Sequence, residues 1–211
     1  MAVEKLYESE NFLVVNKPYD MYINSDDENE KNTVTYKIAS QDSHLSTSAN
    51  PLHFVQRLDY ATSGVLCIAK NKRAAALAGK LFEKRFTRKY YIAIVREHVV
   101  SEMSDIEYRV GRRHQLRVHC AAIGHTVLGD YTYSNTLDKA PHRMFLHATR
   151  LVLPVPKESL DIRTPVPFFS DPQFSGKWKS DRVITRYRSR EDFAAACETL
   201  DQSYVIGAQY K

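Results

Sequence analysis

Three stretches of this 211-residue sequence combine residue types that can do chemistry. In residues 56–64, QRLDYATSG, a single acid, Asp59, stands with two aliphatic hydroxyls, Thr62 and Ser63, and a glycine just ahead of an apolar run. Such a loop can present a carboxylate at a cleft, with Gly64 permitting a tight backbone path. The same residues also suit a structural turn stapled by an Arg57–Asp59 pair, and residue types alone leave both readings open. Residues 84–91, KRFTRKYY, interleave Lys84, Arg85, Arg88 and Lys89 with Phe86, Tyr90 and Tyr91. Cations contact phosphate, and aromatic faces stack on bases that have left a helix. The plainer alternative is a basic helix end, electrostatically suited to that position, running into a strand whose tyrosines pack in the core. Residues 111–119, GRRHQLRVH, carry Arg112, Arg113, His114, Arg117 and His119, a set able to meet a nucleic-acid backbone or to hold a carboxylate. His114, His119, Cys120 and His125 follow no zinc-ligand spacing, so no metal site is expected.

These residues need elements to position them. Residues 12–15, FLVV, read as a strand halted by Lys17 and Pro18. Residues 64–69, GVLCIA, are continuously apolar, the mark of a buried strand. Asn71 is suited to cap a helix running through Glu83, with Ala74, Leu77, Ala78, Leu81 and Phe82 on one face. Residues 90–95, YYIAIV, are rich in strand formers. Residues 113–122 predict a short helix ended by Gly124, and residues 146–153 alternate as a strand. The charged run at 25–31, SDDENEK, predicts a solvated loop. Near the end, Ser189 and Asp192 resemble a capping box opening an amphipathic helix with Phe193, Ala196, Cys197 and Leu200 on one side. Strands separated by helices predict a mixed α+β chain around a sheet.

Bulk properties narrow the classes. A net charge of +5 and a pI near 9.0 lean toward anionic partners. Three scattered cysteines, with no CxxC pair, argue against a disulfide framework and for a reducing compartment. No apolar run approaches the roughly 20 residues of a membrane span. The acidic opening stretch is unlike a transit peptide, so the expected location is cytoplasm or nucleus.

Taken in order, the motifs resemble those of the RluA-type RNA pseudouridine synthases. QRLDYATSGVLCIAK is similar to HRLDxxTSGxxxxAK. KYYIAIV is similar to KxYxAxV, matching at Lys89, Tyr91, Ala93 and Val95. GRRHQLRVHCAAIGHTVLGDYTY is similar to GRTHQIRVHxxxxGxPxxGDxxY, FLVVNKPYDM to an opening VVNKPxGM, and the stretch containing LHA to the closing strand. The likeness runs from about residue 10 to residue 168 and is greatest to the eukaryotic members described as RNA pseudouridylate synthase domain-containing.

The resemblance implies an α+β catalytic domain over residues 1–170, built on a mixed, mainly antiparallel sheet flanked by helices, and a C-terminal extension over 171–211. It implies that uridine in RNA, ribosomal or transfer RNA foremost, is isomerised to pseudouridine. Asp59 stands at the family's essential aspartate, Arg117 at the cation that pairs with it, and Tyr91 at the aromatic that packs on the target base. Arg57 takes the position that helps handle flipped RNA, and Lys84, Arg85, Arg88, Lys89, Arg112 and His114 are the expected RNA contacts. The reaction exchanges an N-glycosidic bond for a C–C bond and needs no redox partner, so neither cofactor nor metal is expected. The protein is expected to act as a monomer, away from membranes, on structured RNA whose target base is flipped out.

Departures accompany the likeness. Gln56 replaces the family's usual histidine and Arg113 the threonine of GRTHQ. Only residues 96–110 separate the second and third motifs, where family members carry several tens more, so the sheet is expected to be incomplete, with an exposed edge. An RNA-binding domain ahead of the first strand is not expected. A rival reading follows from the gap: a non-catalytic RNA-binding protein, or a shortened form, that keeps the fold. A third assigns the C-terminal helix to a protein partner.

Overall fold

The computed structural model describes residues 2–45, 51–97, 114–168 and 170–175. Among them, strands β1 (Glu4–Glu8), β2 (Phe12–Lys17), β3 (His53–Phe54), β4 (Ser63–Ala69), β5 (Arg88–Ala93), β6 (Leu146–Leu153) and β7 (Leu160–Arg163) form one sheet. Helices α1 (Val34–Gln41), α2 (Lys72–Glu83), α3 (Gln115–Ala122) and the single turn α4 (Pro172–Ser175) accompany it. The main path runs β1-β2-β4-β6-β5, with β3 added to β4 and β7 added to β6. Every pairing is antiparallel except β4 with β6. The expected mixed, mainly antiparallel α+β sheet is therefore present, and β5 ends the path on one side among the described residues.

Strand alternation divides the core. Leu13, Val15, Leu66, Ile68 and Ala148 point to one face, where Val34 and Ile38 of α1 cover them. Phe12, Val14, Val65, Cys67, Ala69, Leu151 and Leu153 point to the other, against Ala74 and Ala78 of α2. Because β2, β4 and β6 are covered on both faces, they read as continuous apolar runs rather than alternating ones. Helix α2 begins where the sequence indicates: the Asn71 side chain accepts a 2.8 Å hydrogen bond from the Ala74 amide. Leu77, expected on its buried face, is instead 37% exposed, because the helix leans on the sheet through its alanines. Strand β5 starts two residues earlier than predicted and ends at Ala93, with Val95 only bridging to Val127. The helix capped by Ser189 lies outside the described residues.

The one parallel pairing matters most for the site. β4 and β6 meet over only two pairs, Ser63 with His147 and Gly64 with Ala148. Gly64 has φ +114°, and a side chain there would collide with the Ala148 carbonyl. The glycine thus permits both the backbone conformation and the close approach of the strands. On the other side of β6, Ala148 faces Tyr91. Gly64, Ala148 and Tyr91 form one row across three strands, five residues along the chain from Asp59.

Candidate active site

Asp59 lies in the loop between β3 and β4, and that loop is held at several points. Leu58, its neighbour, is buried in the α1-side core. The Thr62 amide donates to the Asp59 carbonyl at 3.0 Å, and the Met21 amide to the Tyr60 carbonyl at 3.2 Å. Lys17, the last residue of β2, is fully buried, and its ammonium donates to the carbonyls of Pro18 and Tyr60, each at 2.9 Å. Burial pulls the Lys17 ammonium down to about 7, against the opposing pull of the Asp20 and Asp59 charges. The loop backbone is thereby pinned while the Asp59 carboxylate stays 23% exposed at the rim.

The arginine that meets it arrives on α3. That helix starts at Gln115, after His114 in a left-handed conformation (φ 57°), two residues later than the sequence indicates. It turns Arg117 inward, where the side chain is 7% exposed. Arg117 Nε and Nη2 donate to the two Asp130 oxygens at 2.7 and 2.8 Å, and Nη1 donates to Asp59 Oδ2 at 3.2 Å. Burial alone would lower the guanidinium's affinity for its proton. The Asp130 and Asp59 bonds outweigh burial and hold it above the usual arginine value. His114 Nε2 lies 3.4 Å from Asp59 Oδ1, and His114 Nδ1 lies 3.1 Å from the Tyr133 hydroxyl. The Tyr133 ring in turn lies 5.1 Å from the Arg117 guanidinium carbon. One carboxylate is thus bracketed by an arginine already fixed by a second acid.

Tyr91 stands on β5, half-buried between the α1-side core and a small cluster containing Leu116 and Val127. The pairing register shifts between Tyr90 and Tyr91, and the shift sets Tyr91 against Ala148 rather than Thr149. Burial, reinforced by the Asp59 charge, pushes its phenol up to about 12, so the hydroxyl keeps its proton and the ring offers a neutral face.

The remaining predicted residues divide. Arg57 is exposed and makes no ion pair with Asp59, whose carboxylate instead faces Arg117 and the His114 ring; the stapled-turn alternative therefore does not describe this loop. His114, expected as an RNA contact, is a direct neighbour of the carboxylate. Lys84 and Arg85 are exposed at the end of α2, on the sheet face away from Tyr91, and are not brought to the site. Lys89 is exposed and Arg88 half-buried on β5. Arg112 lies outside the described residues. No group of three His, Cys, Asp or Glu that could hold a metal occurs among the described residues, and no helix there is long and apolar enough to cross a membrane.

Several site residues escaped the sequence reading. Asp130 is the main one; its signal was the GDY triplet, 13 residues beyond Arg117. Lys17 is a second, marked by a lysine closing an apolar strand before proline. Tyr22 and Tyr60 form an exposed pair beside Asp59, ring centroids 4.6 Å apart, with no pattern linking them in sequence. A cavity of about 360 Å³ opens next to Arg117 and Asp130, with Ala61 and Arg143 also on its wall.

Known proteins share this arrangement of sequence and fold. The family described as RNA pseudouridylate synthase matches residues 11–109. The zebrafish (Danio rerio) RNA pseudouridylate synthase domain-containing protein 1 is 33% identical, over 85% of this chain and 79% of its own length. That alignment runs over 236 positions, more than this chain has residues, so the relative carries segments that the chain lacks. The dual-specificity RNA pseudouridine synthase RluA of Vibrio parahaemolyticus is 28% identical over 72% of the chain and 78% of its own length. The solved structure of human RNA pseudouridylate synthase domain containing 1 superposes with a TM-score of 0.73 at 27% identity, covering 93% of this chain and 94% of that one. Extended identity and a shared sheet together make this chain a member of the RNA pseudouridylate synthase family.

Proposed function

We propose that this protein isomerises uridine to pseudouridine in RNA, with ribosomal or transfer RNA as the foremost substrates, and that Asp59 is the essential carboxylate. The observation that carries the reading is the Asp59–Arg117–Asp130 chain beside Tyr91. Arg117 is anchored by two bonds to Asp130 and spends its third on Asp59. The carboxylate is therefore held in one orientation, and its Oδ1 edge, 3.4 Å from His114, is partly exposed for a ribose to approach.

The chemistry follows from that orientation. The bond from uracil N1 to ribose C1′ breaks, the base turns, and C5 bonds to C1′. C5 gives up its hydrogen to solvent, and N1 gains a proton. Asp59 assists either by attacking C1′ or by taking the C2′ proton; both routes need a carboxylate beside the sugar. Arg117 positions it. The neutral Tyr91 ring lies against the flipped base, which has left its stack to reach the site. In this reading Arg57 and Arg88 supply positive charge to the RNA backbone and His114 a hydrogen-bonding group beside Asp59, with Tyr22 and Tyr60 available for stacking.

The test is tritium release from RNA labelled at uridine C5, using total cellular RNA fragments and an Asp59→Ala control. Release by the native protein is expected, with the variant slower by at least about 10⁴-fold. A folded protein that binds RNA and releases nothing would make it a non-catalytic binder. Release undiminished in the variant would move the essential group elsewhere.

A further inference from the structure

Arg143 is a buried cation without an acid. It is 5% exposed, ahead of β6, and its guanidinium carbon lies 4.3 Å from the Tyr19 ring centre and 5.3 Å from that of Phe168. Its Nε donates to the Met144 carbonyl at 3.2 Å and its Nη2 to Ser63 Oγ at 2.6 Å. Both acceptors are neutral. Among the described residues no carboxylate comes within ion-pair distance. The two nearby acids act only from farther away. Asp171 is occupied by His142 at 2.7 Å, and burial raises the Asp20 carboxyl above its usual value.

A buried cation lacking a counter-charge is costly, and stacking on aromatic rings recovers only part of that cost. The contrast with Arg117, equally buried and fully paired, shows that the fold can supply acids where it uses them. Arg143 also lines the 360 Å³ cavity, together with Asp20, Ala61, Arg117, Asp130 and Lys139. Arg117, on the same wall, bonds Asp59. The cavity therefore begins one side chain away from the proposed essential carboxylate. Its inner wall offers an unpaired guanidinium and its rim an exposed lysine, Lys139.

We propose that Arg143 forms the floor of a phosphate subsite, with Lys139 at its rim, that takes the phosphodiester next to the target uridine. The inference rests on the reading of RNA as substrate. A flipped nucleotide brings its flanking phosphates with it, so a phosphate receptor close to the ribose-facing carboxylate is where such a group arrives. A phosphate supplies both the acceptor oxygens and the negative charge that Arg143 lacks, whereas a base carbonyl would satisfy a hydrogen bond and leave the charge uncompensated. The subsite would act on binding and positioning, not on the bonds that break.

Two measurements test it. In the first, inorganic phosphate is titrated into the native protein at constant ionic strength, and the side-chain Nε–H resonance of Arg143 is followed by NMR. A saturable shift that chloride does not produce is expected. In the second, tritium release is measured for Arg143→Lys, which keeps the charge but loses the planar fork. The expected result is a KM raised at least about tenfold, with a smaller change in kcat. Inorganic phosphate should inhibit the native enzyme competitively and inhibit the variant less. An unmoved Arg143 resonance overturns the subsite whether or not the variant folds, and so does an unchanged KM. Phosphate binding without any Asp59-dependent turnover would keep the anion subsite and remove the uridine reading. Turnover without phosphate binding would remove the subsite alone.

Discussion

The two faces of the sheet are made from alternate residues of the same strands, yet they meet opposite demands. On the α2 side, Phe12, Val14, Val65, Cys67, Ala69, Leu151 and Leu153 close against the alanines of α2. Even the Cys67 thiol is pushed up to about 12 by burial, which leaves it a small inert hydrophobe. On the α1 side, Leu13, Val15, Leu66 and Ile68 form a comparable apolar layer, but it gives way to Lys17, Asp59, Arg117 and Tyr91. The dry face stabilises; the other face carries groups whose burial is costly and whose positions are held by one another. Function is therefore expected to sit on one face, while stability draws on both.

The largest effect expected in breaking that separation is Arg117→Ala. It leaves Asp130, whose side chain is fully buried, without its cation, and frees Asp59 to move. A stability loss of about 3–5 kcal/mol in urea titrations is expected, together with near-complete loss of tritium release. Near-normal turnover would mean that another group orients Asp59. Phe12→Ala, on the dry face, should cost a similar 3–5 kcal/mol or so while leaving turnover per folded molecule unchanged. A fall in kcat comparable to that of Arg117→Ala would show that the faces are not independent.

A smaller effect is expected at His147, on β6 between them. Its Nδ1 lies 2.8 Å from Ser63 Oγ. Burial, aided by the Arg143 charge, pulls its imidazole from 6.5 to about 4. An unfolded chain takes up the proton that the folded ring refuses. Stability is thus retained above pH 6.5 and lost as the pH falls toward 4, by at most about 1.4 kcal/mol per pH unit. His147→Gln should flatten that part of the pH–stability curve, and an unchanged slope would assign it to other groups. The smallest effect is Asn71→Ala, which removes the α2 cap and should cost about 1 kcal/mol by thermal unfolding with no change in activity. A drop in turnover there would tie the far helix to the site.

Much of this was legible along the chain. Helix α2 and its Asn71 cap, the β4 and β6 runs, and the pairing of Arg117 with Asp59 all follow from spacing or from motif resemblance, and the structure contains them. Shorter elements were not legible. β7 has four residues and β3 two, too few to show a period above background, and α1, with only Val34 and Ile38 buried, presents too narrow an apolar face to stand out. Leu77 looked buried because periodicity identifies a helical face without saying how far the sheet reaches across it. The role of Asp130 was hidden because an acid after a glycine reads as a turn until something is seen to bind it.

The sequence by itself determined the longer elements, β4, α2 and β6 among them, and most of the residues that could do chemistry. These depend on neighbours a few positions away, through capping, alternation and backbone freedom. Only the tertiary structure decided which charges meet. Asp59 and Arg117 are 58 residues apart, and they touch because β4 runs parallel to β6 at Gly64, where the absence of a side chain lets the strands close. The same strand order leaves one buried arginine between two acids and another, Arg143, with none within ion-pair distance among the described residues. Burial and partner choice are set by long-range packing, which no local pattern encodes.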